Sequence, residues 1–203
     1  MKKIFFLIML SALLNATSGG CTLEQSDDIN VSWKAYKTFG KIGVGGRFTD
    51  IKYTPNKKLG KNFRELFVGS MVSIDMTKID TGDSSRDKTL IESFFSKIGK
   101  TIEAKIVGIE ANKREGKGPR TGILDVTIVM NKRSLTIPIT YHYNKGDFRA
   151  NGVIDLFDFA GSNALVSLNK TCFDLHEGKT WNDVSIEFRT QIKATLCNAE
   201  TKK

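Results

Sequence analysis

One stretch near the C-terminus constrains the rest of the chain. From Val184 to Leu196, the apolar Val184, Ile186, Phe188, Ile192, Ala194 and Leu196 fall on one face, and Ser185, Glu187, Arg189, Gln191, Lys193 and Thr195 on the other. Successive side chains leave a pleated strand on opposite sides, so a period of two this long describes a strand half in a core and half in water. The same alternation runs through Leu135, Ile137, Ile139, Tyr141 and Tyr143, with Val126, Ile128 and Met130 across the turn Asn131-Lys132, which predicts a hairpin. Further strand-like segments are Ile29–Phe39, Arg47–Tyr53, Phe63–Asp75, Thr101–Ala111 and Asp147–Leu156. Two segments change period. Ser84–Ile98 places Leu90, Ile91, Phe94, Phe95 and Ile98 at helical spacing, with Ser84 and Asp87 set as a capping box, and Ser162–His176 does the same with Leu165, Leu168, Cys172 and Leu175. Short Gly, Asn and Asp turns between strands favour an antiparallel up-and-down sheet. Eight such strands with two helical insertions can close into a lipocalin-like barrel that holds one small ligand. A two-layer sheet packed against the helices is the other arrangement this pattern allows.

Composition narrows the class. The 203 residues, 40% hydrophobic and 26% charged with 3 Pro, describe one ordinary globular domain able to bury a core. No long apolar span or repeat occurs after the first twenty residues, which excludes a multi-pass membrane protein and a solenoid. The opening MKKIFFLIMLSALLNATSGG has two lysines, a short apolar run and small residues, the pattern of a secretory signal peptide. Residues 1–16 are assigned to it, with cleavage falling as late as 20. A lead-in over 17–28, a barrel domain over 29–197 and a tail over 198–203 follow. Export to the periplasm is the expected destination, and Ser18-Gly19-Gly20-Cys21 offers the alternative of a lipid anchor on Cys21.

The net charge of +9 favours anionic partners, an anionic membrane surface among them. Neither a block of five like charges nor a stripe of Arg interleaved with aromatics occurs, and nucleic acid is not expected as a partner. In an oxidising compartment Cys172 and Cys197 are the expected disulfide. Cys21 is then lipidated or free, or is itself the partner of Cys197 if the first and last strands run side by side. Cys172 and His176 sit at i and i+4, a spacing that suits a metal or a nucleophile, although a disulfide and a helix-terminal histidine account for them more simply. Asp75, Asp80, Asp83 and Asp87 lack the order of a calcium loop and read as a turn that caps the next helix. The glycines of Lys41–Gly46 precede no helix and read as a bend in the sheet, so neither a catalytic set nor a metal site is assigned.

The segments VSWKAYKTFGKIGVGGRF and VSIDMTKIDTGDSSRDKTLIESFF, the hairpin of alternating strands, and a closing strand after TWNDVSIEF together resemble the YceI-like family of exported bacterial proteins. The most specific part is Ile79-Asp80-Thr81-Gly82, Arg86-Asp87, Leu90 and Phe94-Phe95, and the resemblance runs from Asn30 to Cys197. It implies an eight-stranded antiparallel barrel holding a long isoprenoid, an isoprenoid quinone or a similar amphiphilic lipid, without enzymatic activity. Among the 13 Phe and other large side chains, Phe67, Met71, Phe94, Phe95, Tyr141 and Phe159 are the candidate cavity walls. The alternative is an envelope assembly protein with a filled barrel and a basic partner-binding face.

Overall fold

The computed structural model describes residues 22–195, residues 115 and 117 excepted. In chain order its elements are β1 (Thr22–Lys37), β2 (Ile42–Phe48), β3 (Ile51–Thr54), β4 (Leu59–Gly60), α1 (Phe63–Phe67), β5 (Met71–Asp75) and β6 (Ile79–Asp80). A long helix follows, made of α2 (Ser84–Leu90), a π-helical stretch (Ile91–Phe95) and α3 (Ser96–Ile98). Then come β7 (Thr101–Ala111), β8 (Arg120–Met130), β9 (Arg133–Asn144), β10 (Asp147–Asp155), α4 (Ser162–Thr171), α5 (Phe173–His176) and β11 (Asp183–Thr195).

The strands form one antiparallel curled sheet in the order β3-β5-β7-β8-β9-β10-β11-β1-β2-β6, with β4 added beside β1. The curl brings the first and last long strands together. β1 pairs with β11 from Thr22↔Thr195 to Lys34↔Ser185, with a bulge between Gln25 and Ile29. The β8–β9 hairpin is in register from Arg120↔Tyr143 to Met130↔Arg133. Its turn residues Asn131 and Lys132 both have positive φ (49° and 60°), which matches the right-handed twist of the strands it joins. At the ends of the path, β2 runs on to β3 across Thr49-Asp50, and β5 to β6 across Met76–Lys78. The Thr49 N–H donates to the Lys78 carbonyl (2.8 Å), so hydrogen bonding continues beside both breaks.

The expected count of eight strands is corrected to eleven among the described residues. β1 starts well before Ile29, because Asp27 and Asp28 fall in the bulge and break the alternation. The expected strand Arg47–Tyr53 is instead two short strands, the first reaching back through the glycines to Ile42. A Cβ at Gly46 would collide with the Trp33 ring, so this glycine makes room for the indole on the neighbouring strand. Phe63–Asp75 is not one strand either: Asn62 accepts the Glu65 N–H (2.9 Å) and caps the short α1 ahead of β5. The helix over Ser84–Ile98 keeps its expected bounds, but its cap is Asp83, which accepts from the Ser85 and Arg86 N–H groups. Asp87 turns back instead to Thr81, accepting from its N–H and its hydroxyl. The wider π-helical turn lets the consecutive Phe94 and Phe95 both bury. The expected helix Ser162–His176 is broken at Cys172. α4 packs on the π-helical stretch and α3, so these helices cover one end of the curled sheet while α1 covers the other. Among the described residues no helix is long and apolar enough to cross a membrane.

Candidate functional site

The inner face of β1 passes through three environments in sequence. Val31 lines a deep cavity of about 110 Å³, Trp33 and Ala35 line a middle cavity of about 90 Å³, and Lys37 lines a mouth of about 350 Å³. β11 repeats the order, with Phe188 in the deep cavity, Ile186 shared by the deep and middle ones, and Val184 in the middle one. Because residues i and i+2 of a strand share a face, two strands reporting one order place the cavities in line along the sheet's inner surface. Phe48, Ile102, Met130, Ile154 and Ile186 form a partition common to the deep and middle cavities. Trp33, Ala35, Leu90, Leu168 and Thr180 are common to the middle cavity and the mouth. Taken together the three reach the size of ligand pockets, about 300–1,000 Å³.

Polarity rises along the same line. The two inner cavities are walled almost entirely by apolar side chains, whereas the mouth adds Lys37, Asp83, Arg86, Cys172 and His176. The Trp33 indole N–H, at the boundary between middle cavity and mouth, is buried without a hydrogen-bond partner among the described residues. A buried donor of this kind is costly unless an acceptor reaches it. Arg86 is fixed by the Thr81 carbonyl (2.8 Å) and hydroxyl (2.9 Å).

Cys172 and His176 share the mouth, but their chemistry is muted. Burial pushes the Cys172 thiol up, against the opposing pull of Lys37. Burial, and then Lys37, push the His176 imidazole down. A protonated thiol beside a neutral imidazole is not an activated nucleophile. Thr180 gives its hydroxyl proton to Asn169 (3.0 Å), so the His176 Nδ1–H donates to Thr180 (2.7 Å) and Nε2 keeps its lone pair. The acidic loop is engaged locally: Thr77 holds Asp75 low, while the Gly82 N–H and then Arg47 hold Asp80 low. Among the described residues no group of three or more His, Cys, Asp or Glu is placed to hold a metal ion.

The six side chains expected to wall a cavity scatter. Phe94 and Phe95 line the middle cavity. Phe67 lies in an aromatic plug with Phe63, Phe148 and Phe188 at the far end, where its ring centroid is 4.5 Å from that of Phe148. Tyr141 stacks on Phe148 (5.3 Å) in the same plug and lines an outer cleft beyond it. Met71 is 49% exposed and Phe159 is wholly buried beyond β10, and neither lines the three cavities. Of the cysteines, Cys21 and Cys197 lie outside the described residues. Cys172 sits by Lys37, whereas Thr195 pairs with Thr22 at the opposite end of β1. Sequence reasoning missed Trp33, Lys37, Met130 and Ile186; the signal that marks three of them is the alternation along β1 and β11 once these strands are neighbours.

Comparison with known proteins gives one consistent result. A family model described as a YceI-like domain matches residues 24–192. A structure described as a polyisoprenoid binding domain from Saccharophagus degradans, implicated in plant cell wall breakdown, superposes with a TM-score of 0.52 at 11% identity, covering 87% of this chain and 99% of that one. Burkholderia cenocepacia BcnA gives 0.54 at 14% identity, over 81% and 96%. The Campylobacter jejuni YCEI protein gives 0.53 at 18% identity, over 75% and 85%. No curated protein matches the sequence. At these identities the likeness to the solved structures is one of fold.

Proposed function

The chain belongs to the YceI-like family, and from that premise we propose that it is a non-enzymatic periplasmic carrier of a long isoprenoid, an isoprenoid quinone or a similar amphiphile. The tail occupies the deep and middle cavities and the polar head rests at the mouth. The observation that carries this reading is the single file of cavities, apolar inside and polar at the outlet, with the unpartnered Trp33 N–H at the change of polarity. Each buried methylene contributes about 0.8 kcal/mol, so the tail supplies affinity while the mouth sets orientation. The polyisoprenoid-binding description of the Saccharophagus degradans domain agrees with this cargo. Counting the kinked β2–β3 and β5–β6 pairs as one rung each gives a closed eight-rung barrel, a reading supported by the Thr49–Lys78 hydrogen bond across the kink. Export rests on the signal-like N-terminus. Docking to an anionic membrane surface is supported by the exposed Phe39 and Leu175 and by Lys37, Lys41 and Lys179 in the segments around the mouth.

The test is mass spectrometry of an organic extract from protein exported and purified without detergent. A stoichiometric isoprenoid is the expected result. A second reading, an envelope interaction protein with a filled barrel, is favoured by the small volumes of the deep and middle cavities. It is adopted if the extract of folded protein is empty and added isoprenoid also fails to bind.

A further inference from the structure

Beyond the aromatic plug, at the end opposite the mouth, lies a cleft of about 440 Å³ between α1 and the β7–β8 loop. Its walls carry Arg64 from α1, Arg114 from the loop and Arg120 from the first residue of β8, together with Phe63 and Tyr141 from the plug. Among the described residues no carboxylate lines it and none of the three arginines forms a salt bridge. Local structure holds these cations in place. Arg64 donates to the Ile109 carbonyl (3.2 Å), Arg114 donates to the Gly118 carbonyl (3.1 Å), and the Arg120 guanidinium lies over the Phe63 ring (5.9 Å). The base of the loop is fastened by Asn112, whose N–H and side chain donate to Thr121.

A second observation is independent of the charges. Tyr141 is wholly buried, lines this cleft, and has a hydroxyl with no hydrogen-bond partner among the described residues. The site was also cleared for its ring: a side chain at Gly122, opposite Tyr141 in the β8–β9 ladder, would strike it. Three arginines lining one cleft with spare N–H groups, and a buried hydroxyl free to donate, are the elements of an oxyanion site. Phosphate suits them better than a single carboxylate, because its several oxygens can engage more than one planar donor fork at once.

We propose that the Arg64, Arg114, Arg120 and Tyr141 cleft is a second binding site, specific for a phosphate or pyrophosphate group and separate from the tunnel. Its position across the plug makes it independent of whether the tunnel carries a lipid. The group arrives either as a free phosphate compound or as the head of an anionic lipid, and two probes separate these sources.

The first probe is inorganic pyrophosphate, titrated calorimetrically into the mature protein at low ionic strength. Saturable binding is expected, weakened about tenfold by Arg120→Gln or Arg114→Gln, the loss of one charge-assisted hydrogen bond. Tyr141→Phe is expected to weaken it several-fold without altering the circular dichroism spectrum, and Lys37→Gln at the opposite end to leave it unchanged. Arg114 lies on an exposed loop, so its variant tests the site even if another fails to fold. The second probe is cosedimentation with phosphatidylglycerol-containing vesicles against pure phosphatidylcholine. Pyrophosphate binding without vesicle binding, or with vesicle binding that does not need Arg114 and Arg120, identifies a free phosphate compound, and vesicle binding that needs both identifies a lipid head group. The proposal is overturned if pyrophosphate does not bind and vesicle binding is absent or does not need Arg114 and Arg120, if pyrophosphate binding survives both arginine substitutions, or if Lys37→Gln reduces pyrophosphate binding equally.

Discussion

Asp147 shows how a single side chain ties this sheet together at its surface. It accepts from Arg149 on its own strand (2.6 Å) and from Arg189 on β11 (2.7 Å). Burial opposes ionisation, but the Arg189 and then the Arg149 hydrogen bonds outweigh it and hold the carboxyl below its usual value. Both pairs are partly exposed, so solvent and salt screen them and their contribution is small. A carboxyl with a lowered folded pKa gives its full contribution above the unfolded value of about 3.9 and loses it as pH falls through the folded value. Asp147→Asn is therefore expected to lower the urea midpoint at pH 7, and the gap to the parent protein is expected to close in acid. A gap that persists below the carboxylate range would assign the effect to packing.

Among the elements, the long helix over residues 84–98 depends on its first turn. Asp83 satisfies two otherwise unpartnered N–H groups there, and replacing such a cap by Ala costs about 1 kcal/mol. Asp83→Ala is expected to lower the melting temperature and to loosen Phe94 and Phe95 at the middle cavity, seen as faster amide exchange over residues 84–98. Asp87→Ala, which frees Thr81 but leaves the cap, is expected to spare the first turn. The extent of this helix was legible because Leu90, Ile91, Phe94, Phe95 and Ile98 recur at helical spacing. Its cap was misplaced by one residue, since Ser84 and Asp83 are both good caps and only backbone geometry separates them. β2 and α1 were hidden for different reasons. Gly43, Gly45 and Gly46 supply no alternation to read, and Phe63 and Phe67 look alike in a short helix and in a strand.

At the scale of the whole molecule, β1 and β11 run side by side along the length of the sheet, and this sets Cys172 at the opposite end from Thr195. The thirteen residues of β11 extend about 40 Å, whereas two residues beyond Thr195 reach at most about 7 Å. Non-reducing peptide mapping is therefore expected to find no Cys172–Cys197 cross-link, and detection of one would require β11 to leave the sheet. Sequence placed these cysteines on a helix and after a strand, but the distance between them is a property of topology. The site shows the same division. Val31, Trp33, Ala35 and Lys37 already grade from apolar to charged along one face of a strand. Which of the 13 Phe face inward, however, depends on which strands are neighbours. The plug of Phe63, Phe67, Tyr141, Phe148 and Phe188 has a further consequence, because among the described residues it stands across the end of the file of cavities opposite the mouth. The proposed amphiphile, stopped at that end, departs by the path it arrived on, head first and tail last. For the proposed amphiphile, donor and acceptor then take turns at the same rim, and its transfer is a relay between docking events rather than continuous flow.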